Sequence, residues 1–450
     1  MASKRWLGVA ALGLAAHAFP SALAVAQTVT VDASLLRELQ QIIQQQGEQL
    51  GSQAETIDAL KSRVEQLEQK SGDTESIATE ARSTAEKAID TAESTAAGKL
   101  PGAVITSGNE KVKLAISGHI NRAVNIADDG DKTRAYFVDN DVSNSRIRFV
   151  GTGQVTPETT MGATFEVAFS PNNSFDVSQD DETPDDFIDV RKAEAIVRND
   201  RYGQFLFGKG QASADDTAEY DLSLVAGPIM YSGIADIVGG LQFTADGELT
   251  DVSVGDAFFN FDGDRQDRVR YDTPTFGPGV QLSISAGADQ RADAALTWGG
   301  DYGDWSGVDI GSFTTLGAVS IQDPSVNGID YRLAGSFSAL HNPSGLSLTL
   351  SAGMDESDDG DNPHNLYGKL GWDTAFFDFG PTGFGIDLTY GENVSAEGDE
   401  GFGFGIAAVQ LIEDFGTEIY GQFRIFDLDR DTGESVDDIV VGTVGGRVKF

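Results

Sequence analysis

The last stretch of the chain constrains the fold most. In Gly446-Arg447-Val448-Lys449-Phe450 the side chains alternate, with Phe450, Val448, Gly446 and Val444 on one face and Lys449, Arg447, Gly445 and Thr443 on the other. That is the two-residue period of a β-strand with one apolar and one polar side. The same period recurs upstream. It is clear in Val280-Gln281-Leu282-Ser283-Ile284-Ser285, in Leu346-Ser347-Leu348-Thr349-Leu350-Ser351 and in Phe384-Gly385-Ile386-Asp387-Leu388-Thr389-Tyr390. Strands that are greasy outside and wet inside suit the wall of a barrel set in lipid.

The start of the chain supports that placement. Residues 1–26 read as a secretory signal peptide, with basic Lys4 and Arg5, an apolar stretch from Trp6 to Phe19 and small residues at Ala24-Val25-Ala26. No later window of ~20 residues is continuously apolar, so any membrane crossing has to be made by a closed barrel. There is no Cys, which excludes disulfides and thiolate metal sites. The formal net charge is −40, or −42 once Lys4 and Arg5 are excised. A balance that acidic excludes a nucleic-acid partner, which needs a basic footprint.

Residues 31–98 form a second region. Apolar and small residues recur on a strict heptad from Leu36 and Leu39 to Ala92 and Thr95, interrupted by Gln46 and Gln53. That spacing predicts an α-helical coiled coil, about 90 Å long at 1.5 Å per residue, and hence self-association. The heptad does not set the number of strands. Gly98 and Pro101-Gly102 end the helix, leaving 99–110 as a linker and 111–450 as the barrel.

Within 111–450 we count sixteen candidate strands: 111–127, 144–155, 161–170, 187–198, 203–211, 266–275, 279–288, 292–302, 310–321, 327–340, 345–355, 364–375, 383–391, 401–411, 415–427 and 437–450. Short connectors recur at every second gap, as at Pro157-Glu158-Thr159-Thr160 and His341-Asn342-Pro343-Ser344. Longer acidic loops lie between them, at 171–186, 212–265, 356–363, 392–400 and 428–436. Short turns at one rim and long loops at the other mark a bacterial membrane barrel. The connectors 289–291 and 303–309 fit this rhythm poorly, which leaves room for a further hairpin there. The predicted fold class is an all-β transmembrane barrel of about sixteen antiparallel strands, preceded by the coiled coil.

Several stretches carry a family resemblance. They are Lys113-Leu114-Ala115-Ile116-Ser117-Gly118-His119-Ile120-Asn121, Ser145-Arg146-Ile147-Arg148-Phe149-Val150-Gly151, Arg191-Lys192-Ala193-Glu194-Ala195 and Gly203-Gln204-Phe205-Leu206-Phe207-Gly208-Lys209-Gly210-Gln211. With them, residues 111–450 resemble the general trimeric porins of Gram-negative outer membranes. The resemblance implies a homotrimer of barrels, each with a water-filled channel for passive diffusion of ions and small hydrophilic solutes. It implies outer-membrane lipid, lipopolysaccharide and the barrel-assembly machinery as partners, the last through Phe450. It also implies a constriction where loop 212–265 folds inward. The acidic side of that constriction would be Asp215, Asp216, Glu219 and Asp221. The basic wall would be Arg122, Arg146, Arg148, Arg191 and Lys209, with Lys192 as a further candidate. The chain departs from the family in lacking a Pro-Glu-Phe-Gly-Gly tip in that loop and in placing Glu194 where an aromatic is common.

Acidic mouth loops lead us to expect a lean toward cations. No Ser/His/Asp arrangement stands out, so no enzyme is expected, and no cofactor. His119, His341 and His364 lack ligand spacing, and Asp427-Leu428-Asp429-Arg430-Asp431 lacks the Gly and Glu of a Ca²⁺ loop. The acidic outer loops suggest a different metal role, divalent cations held against lipopolysaccharide. Two other readings fit parts of this pattern. In one, the coiled coil in the periplasm tethers the outer membrane to the cell wall and the pore is secondary. In the other, the chain is a trimeric autotransporter adhesin; that architecture needs only about 70 residues of barrel per chain, against about 340 here.

Overall fold

In the computed structural model the described residues are 105–106, 111–184, 187–277, 279–288, 291–303, 311–324, 328–357 and 362–450. The signal peptide expected at 1–26 and the coiled coil expected at 31–98 lie outside them, as does the linker at 99–110 apart from Ile105–Thr106.

The strands are β1 (Ile105–Thr106), β2 (Val112–Asp128), β3 (Thr133–Asp139), β4 (Arg146–Thr156), β5 (Thr159–Phe169), β6 (Ile188–Asn199), β7 (Gly203–Gln211), β8 (Gln242–Ala245), β9 (Glu248–Ser253) and β10 (Arg265–Asp272). They continue with β11 (Gln281–Gly287), β12 (Ala292–Tyr302), β13 (Phe313–Asp323), β14 (Ile329–His341), β15 (Leu346–Ser357), β16 (His364–Phe377), β17 (Gly380–Glu392), β18 (Glu400–Ile412), β19 (Thr417–Asp429) and β20 (Ile439–Lys449). Neighbours pair antiparallel around the ring, β7 pairs directly with β10, and β20 returns to β2 through Ile120↔Val448 and Val124↔Val444. β3 and β4 both pair with β2, one above the other, and act as a single interrupted strand. The result is a closed barrel of sixteen antiparallel wall strands, each paired on both sides. Each of the sixteen expected segments overlaps one of its strands.

Sequence reading missed β3. Its inward Tyr136 and Val138 are as apolar as its outward Ala135 and Phe137, so the two-residue signal disappears. No extra hairpin follows the seventh and eighth wall strands among the described residues. β11 and β12 meet at the long-loop rim, and β12 and β13 at the short-turn rim.

Side-chain parity matches the expected wall. On β15, Leu346, Leu348 and Leu350 point out and are 40–56% exposed, while Ser347, Thr349 and Ser351 point in and are buried. The same parity puts Val444, Val448 and Phe450 outside and Arg447 and Lys449 inside. Tyr202, Phe276, Trp372, Phe376, Phe379 and Phe415 lie on the outer surface around the short-turn rim, an aromatic girdle at the height of a membrane interface. The seam closes at the last residue. Gly118 and Phe450 exchange two backbone hydrogen bonds of 2.9 Å, and a Cβ on Gly118 would meet the Arg146 carbonyl at 2.5 Å.

The connection between β7 and β10, residues 212–264, folds into the lumen. It carries the hairpin β8–β9 and the one-turn helix α1 (Val254–Ala257). Its Val225, Ile229, Met230, Ile234, Val238, Leu241, Phe243 and Phe258 form an apolar cluster with inward Tyr367, Val409, Tyr420, Phe426, Leu428, Ile439 and Val441 of the wall. The loop therefore has its own core, built against one side of the barrel.

Candidate functional site

The small polar residues inside β11 to β16 hold the loop by its backbone. Ser213 N donates to Ser285 Oγ at 2.8 Å, Tyr220 N to Ser336 Oγ at 2.9 Å and Leu222 N to Ser338 Oγ at 3.0 Å. Ser336 Oγ and Ser351 Oγ donate in turn to the carbonyls of Thr217 and Ala218, each at 2.7 Å. Larger inward residues would keep the loop off the wall; a Cβ on Gly353 would meet Phe261 Cβ at 2.5 Å. The loop's two ends are pinned together by Asp262, whose carboxylate accepts from Asp216 N at 2.6 Å and Ala218 N at 2.7 Å.

What the loop leaves open is a cavity of about 800 Å³ against the wall formed by β4, β5 and β6. The structure brings Arg146, Arg148, Arg191, Asp215, Asp216, Glu219 and Asp221 together around it. Two expected basic-wall residues are elsewhere. Arg122 has the outward parity of β2 and donates to the Pro171 carbonyl at 2.7 Å. Lys209 has the outward parity of β7 and pairs with exposed Asp189 at 3.4 Å. Both are corrections of parity: basic residues on a wall strand reach the lumen only when their Cβ faces inward.

Glu166 was not singled out from the sequence, yet it organises the basic side. It is fully buried, and it lies 2.5 Å from Arg148, 2.8 Å from Arg191 and 3.8 Å from Arg146. The register of β5 and β6 shifts between Glu166↔Lys192 and Val167↔Val190. This bulge leaves Arg191 as the extra residue, so both Arg191 and its neighbour Lys192 line the cavity. Lys192 Nζ donates to Gln211 Oε1 at 2.5 Å, and Gln211 Nε2 donates to an Asp216 carboxylate oxygen. One carboxamide thus spans from the basic wall to the acidic loop.

The acidic side is partly compensated. Asp221 pairs with buried Lys369 at 2.5 Å. Arg265 lies 3.9 Å from Asp215 and 4.0 Å from Asp216. Asp215, Asp216 and Asp262 could each offer a carboxylate oxygen within 4.8 Å of the others. Asp262 already caps backbone amides, however, and Arg265 supplies the opposing charge. This trio is inside the barrel, not on the outer loops where divalent ions were expected. Burial, then the nearby charge of Asp141, pushes the Asp236 carboxyl up to about 8. Burial, then Asp262 and Asp216, raises Glu219; burial, then Asp215 and Asp216, raises Asp262.

A second ion group comes from the terminal strand. Arg447 lies 2.5 Å and Lys449 2.9 Å from Glu418, and Arg447 also donates to the Gly227 carbonyl of the loop at 3.1 Å. Parity along 443–450 places these two bases inside; it gives no hint of Glu418 as their partner. The cavity lining as a whole has eleven carboxyl residues and seven basic ones. Apolar Val142, Leu222, Leu224 and Leu411 line it as well.

The family model for Gram-negative porins matches residues 90–445. Among solved structures, the chain is similar to an anion-selective porin from Comamonas acidovorans, with 13% identity, 75% of this chain and 100% of that chain covered, and a TM-score of 0.51. It is also similar to in-vitro folded OmpT, an outer membrane protein of Vibrio cholerae, with 12% identity, 77% and 100% covered, and a TM-score of 0.50. At such identities the likeness concerns the fold. No curated relative matches the chain.

Proposed function

This chain belongs to the Gram-negative porin family, an outer-membrane channel for small solutes, and we propose that it conducts passively with a lean toward cations. The observation that carries the proposal is the cavity itself, enclosed by a barrel wall and walled by opposed charges. What it supplies is a charged route through the barrel. Basic residues on β4 and β6 facing acids on the loop set up a field across that route. Acids outnumber bases in the lining, and their charge grows as the raised carboxyls of Glu219, Asp236 and Asp262 ionise, which favours cations over anions.

The channel works as a homotrimer, with the short-turn rim in the periplasm. Acidic outer loops hold divalent cations against lipopolysaccharide, and Phe450 is read by the assembly machinery. Purified protein in planar bilayers is expected to open in steps of three. Its zero-current potential in a KCl gradient should carry the sign of K⁺ preference. A protein that inserts without conducting would refute the channel, and a potential of Cl⁻ sign would refute the cation lean. The heptad over 36–95 supports a periplasmic coiled coil that tethers the barrel toward the cell wall. Deleting 31–98 should loosen the envelope and leave conductance intact; unchanged envelope spacing would remove the tether.

A further inference from the structure

We infer that the cavity recognises small zwitterions with an apolar body, of the class of dipeptides of aliphatic residues. The inference rests on the channel reading above and names the solute class that the same cavity fits best.

Three observations combine. The first is the span between the charged walls. Gln211 lies across it with its carbonyl toward Lys192 and its amide nitrogen toward Asp216. Its dipole has the polarity of a solute whose carboxylate faces the basic wall and whose ammonium faces the loop. A pure anion meets the acids of the loop unfavourably, and a pure cation meets the Arg146, Arg148 and Arg191 side unfavourably. Only a solute with both charges is attracted at both ends.

The second observation is the apolar part of the lining. Val142, Leu222, Leu224 and Leu411 are only partly buried and line the same cavity as the charged groups. A route for sugars or bare ions gains nothing from aliphatic side chains left in contact with water, whereas an apolar solute body removes that surface from water. Leu222 and Leu224 are held in place, since their backbone amides donate to Ser338 Oγ at 3.0 Å and to the Asp373 carboxylate at 3.1 Å. The third is size. A cavity of about 800 Å³ is in the range that holds an organic molecule rather than a hydrated ion alone.

The test uses the full chain in planar bilayers, with reversible block of the K⁺ current as the readout. Leucyl-leucine is compared with N-acetyl-leucyl-leucine, which lacks the cationic end, and with leucyl-leucine amide, which lacks the anionic end. Glycyl-glycine keeps both charges and lacks the apolar body. The half-blocking concentration of leucyl-leucine is expected to be about fivefold below those of the acetylated peptide and the amide, the size of one water-screened ion contact, and at least about fivefold below that of glycyl-glycine, which removes no aliphatic surface from water. In D215N/D216N the preference should move toward the acetylated peptide, and in R148Q toward the amide. Assembly of each variant is checked by heat-modifiable gel mobility. Equal block by all four peptides in a conducting wild-type protein overturns the inference, whatever the variants do. Absence of any current refutes the channel reading instead.

Discussion

Glu166→Gln probes the arrangement most directly. The substitution keeps the shape of the side chain and removes one negative charge from the centre of the basic wall, where Arg146, Arg148 and Arg191 lie within 3.8 Å of the carboxylate. Consider an ion passing roughly 5 Å away through water-filled space. Coulomb's law gives about 0.8 kcal/mol there, and screening at 0.1 M salt leaves about 0.5 kcal/mol. That is a factor of about 2.3 in the local concentration of each ion, favourable for Cl⁻ and unfavourable for K⁺. The permeability ratio of K⁺ to Cl⁻ should therefore fall about fivefold, read from the zero-current potential in a KCl gradient. Removing a fully buried partner of several cations also costs about 3 kcal/mol of stability, so assembly has to be verified before the electrical reading. Arg191→Gln reverses the charge change and should raise the ratio by a similar factor. If the two variants move it in the same direction, or neither moves it, the cavity beside Glu166 is not the conducting route.

Two further outcomes follow from the loop. Asp236, Glu219 and Asp262 have carboxyl groups held above their ordinary range, Asp236 at about 8. They gain charge as pH rises, so K⁺ preference should strengthen as pH rises through about 8, where Asp236 ionises; the stability its neutral form gives the docked loop is full below the ordinary carboxylate range and is lost as pH rises from there through about 8; a flat selectivity profile would contradict this. Phe426 is fully buried on the wall and its ring lies 5.3 Å from that of Phe258 in the loop, so Phe426→Ala should weaken loop docking by about 3 kcal/mol and make single-channel currents noisier and larger. Quiet currents of unchanged size would show that the apolar cluster does not hold the loop.

Much of the wall was legible because alternation is a local property. A strand whose two faces meet hydrocarbon and polar surroundings must change residue type at every step, and Leu346 to Ser351 or Val444 to Phe450 do so without help from the rest of the fold. The charged partners Arg146, Arg148, Asp215, Asp216 and Glu219 could be nominated from their positions before and within the longest loop.

Other features depended on contacts between residues far apart in the chain. β3 and the start of β20 are apolar on both faces because the loop core covers their inner side. Inward serines that suggest a wet lumen instead bind the backbone of residues 213–222. Glu166 and the bulge beside it gather bases from three separate strand positions. A strand's own residues dictate which of its faces meets oil. Which charges end up opposite one another depends on how a long connection packs after the cylinder has closed, and no single segment encodes that packing.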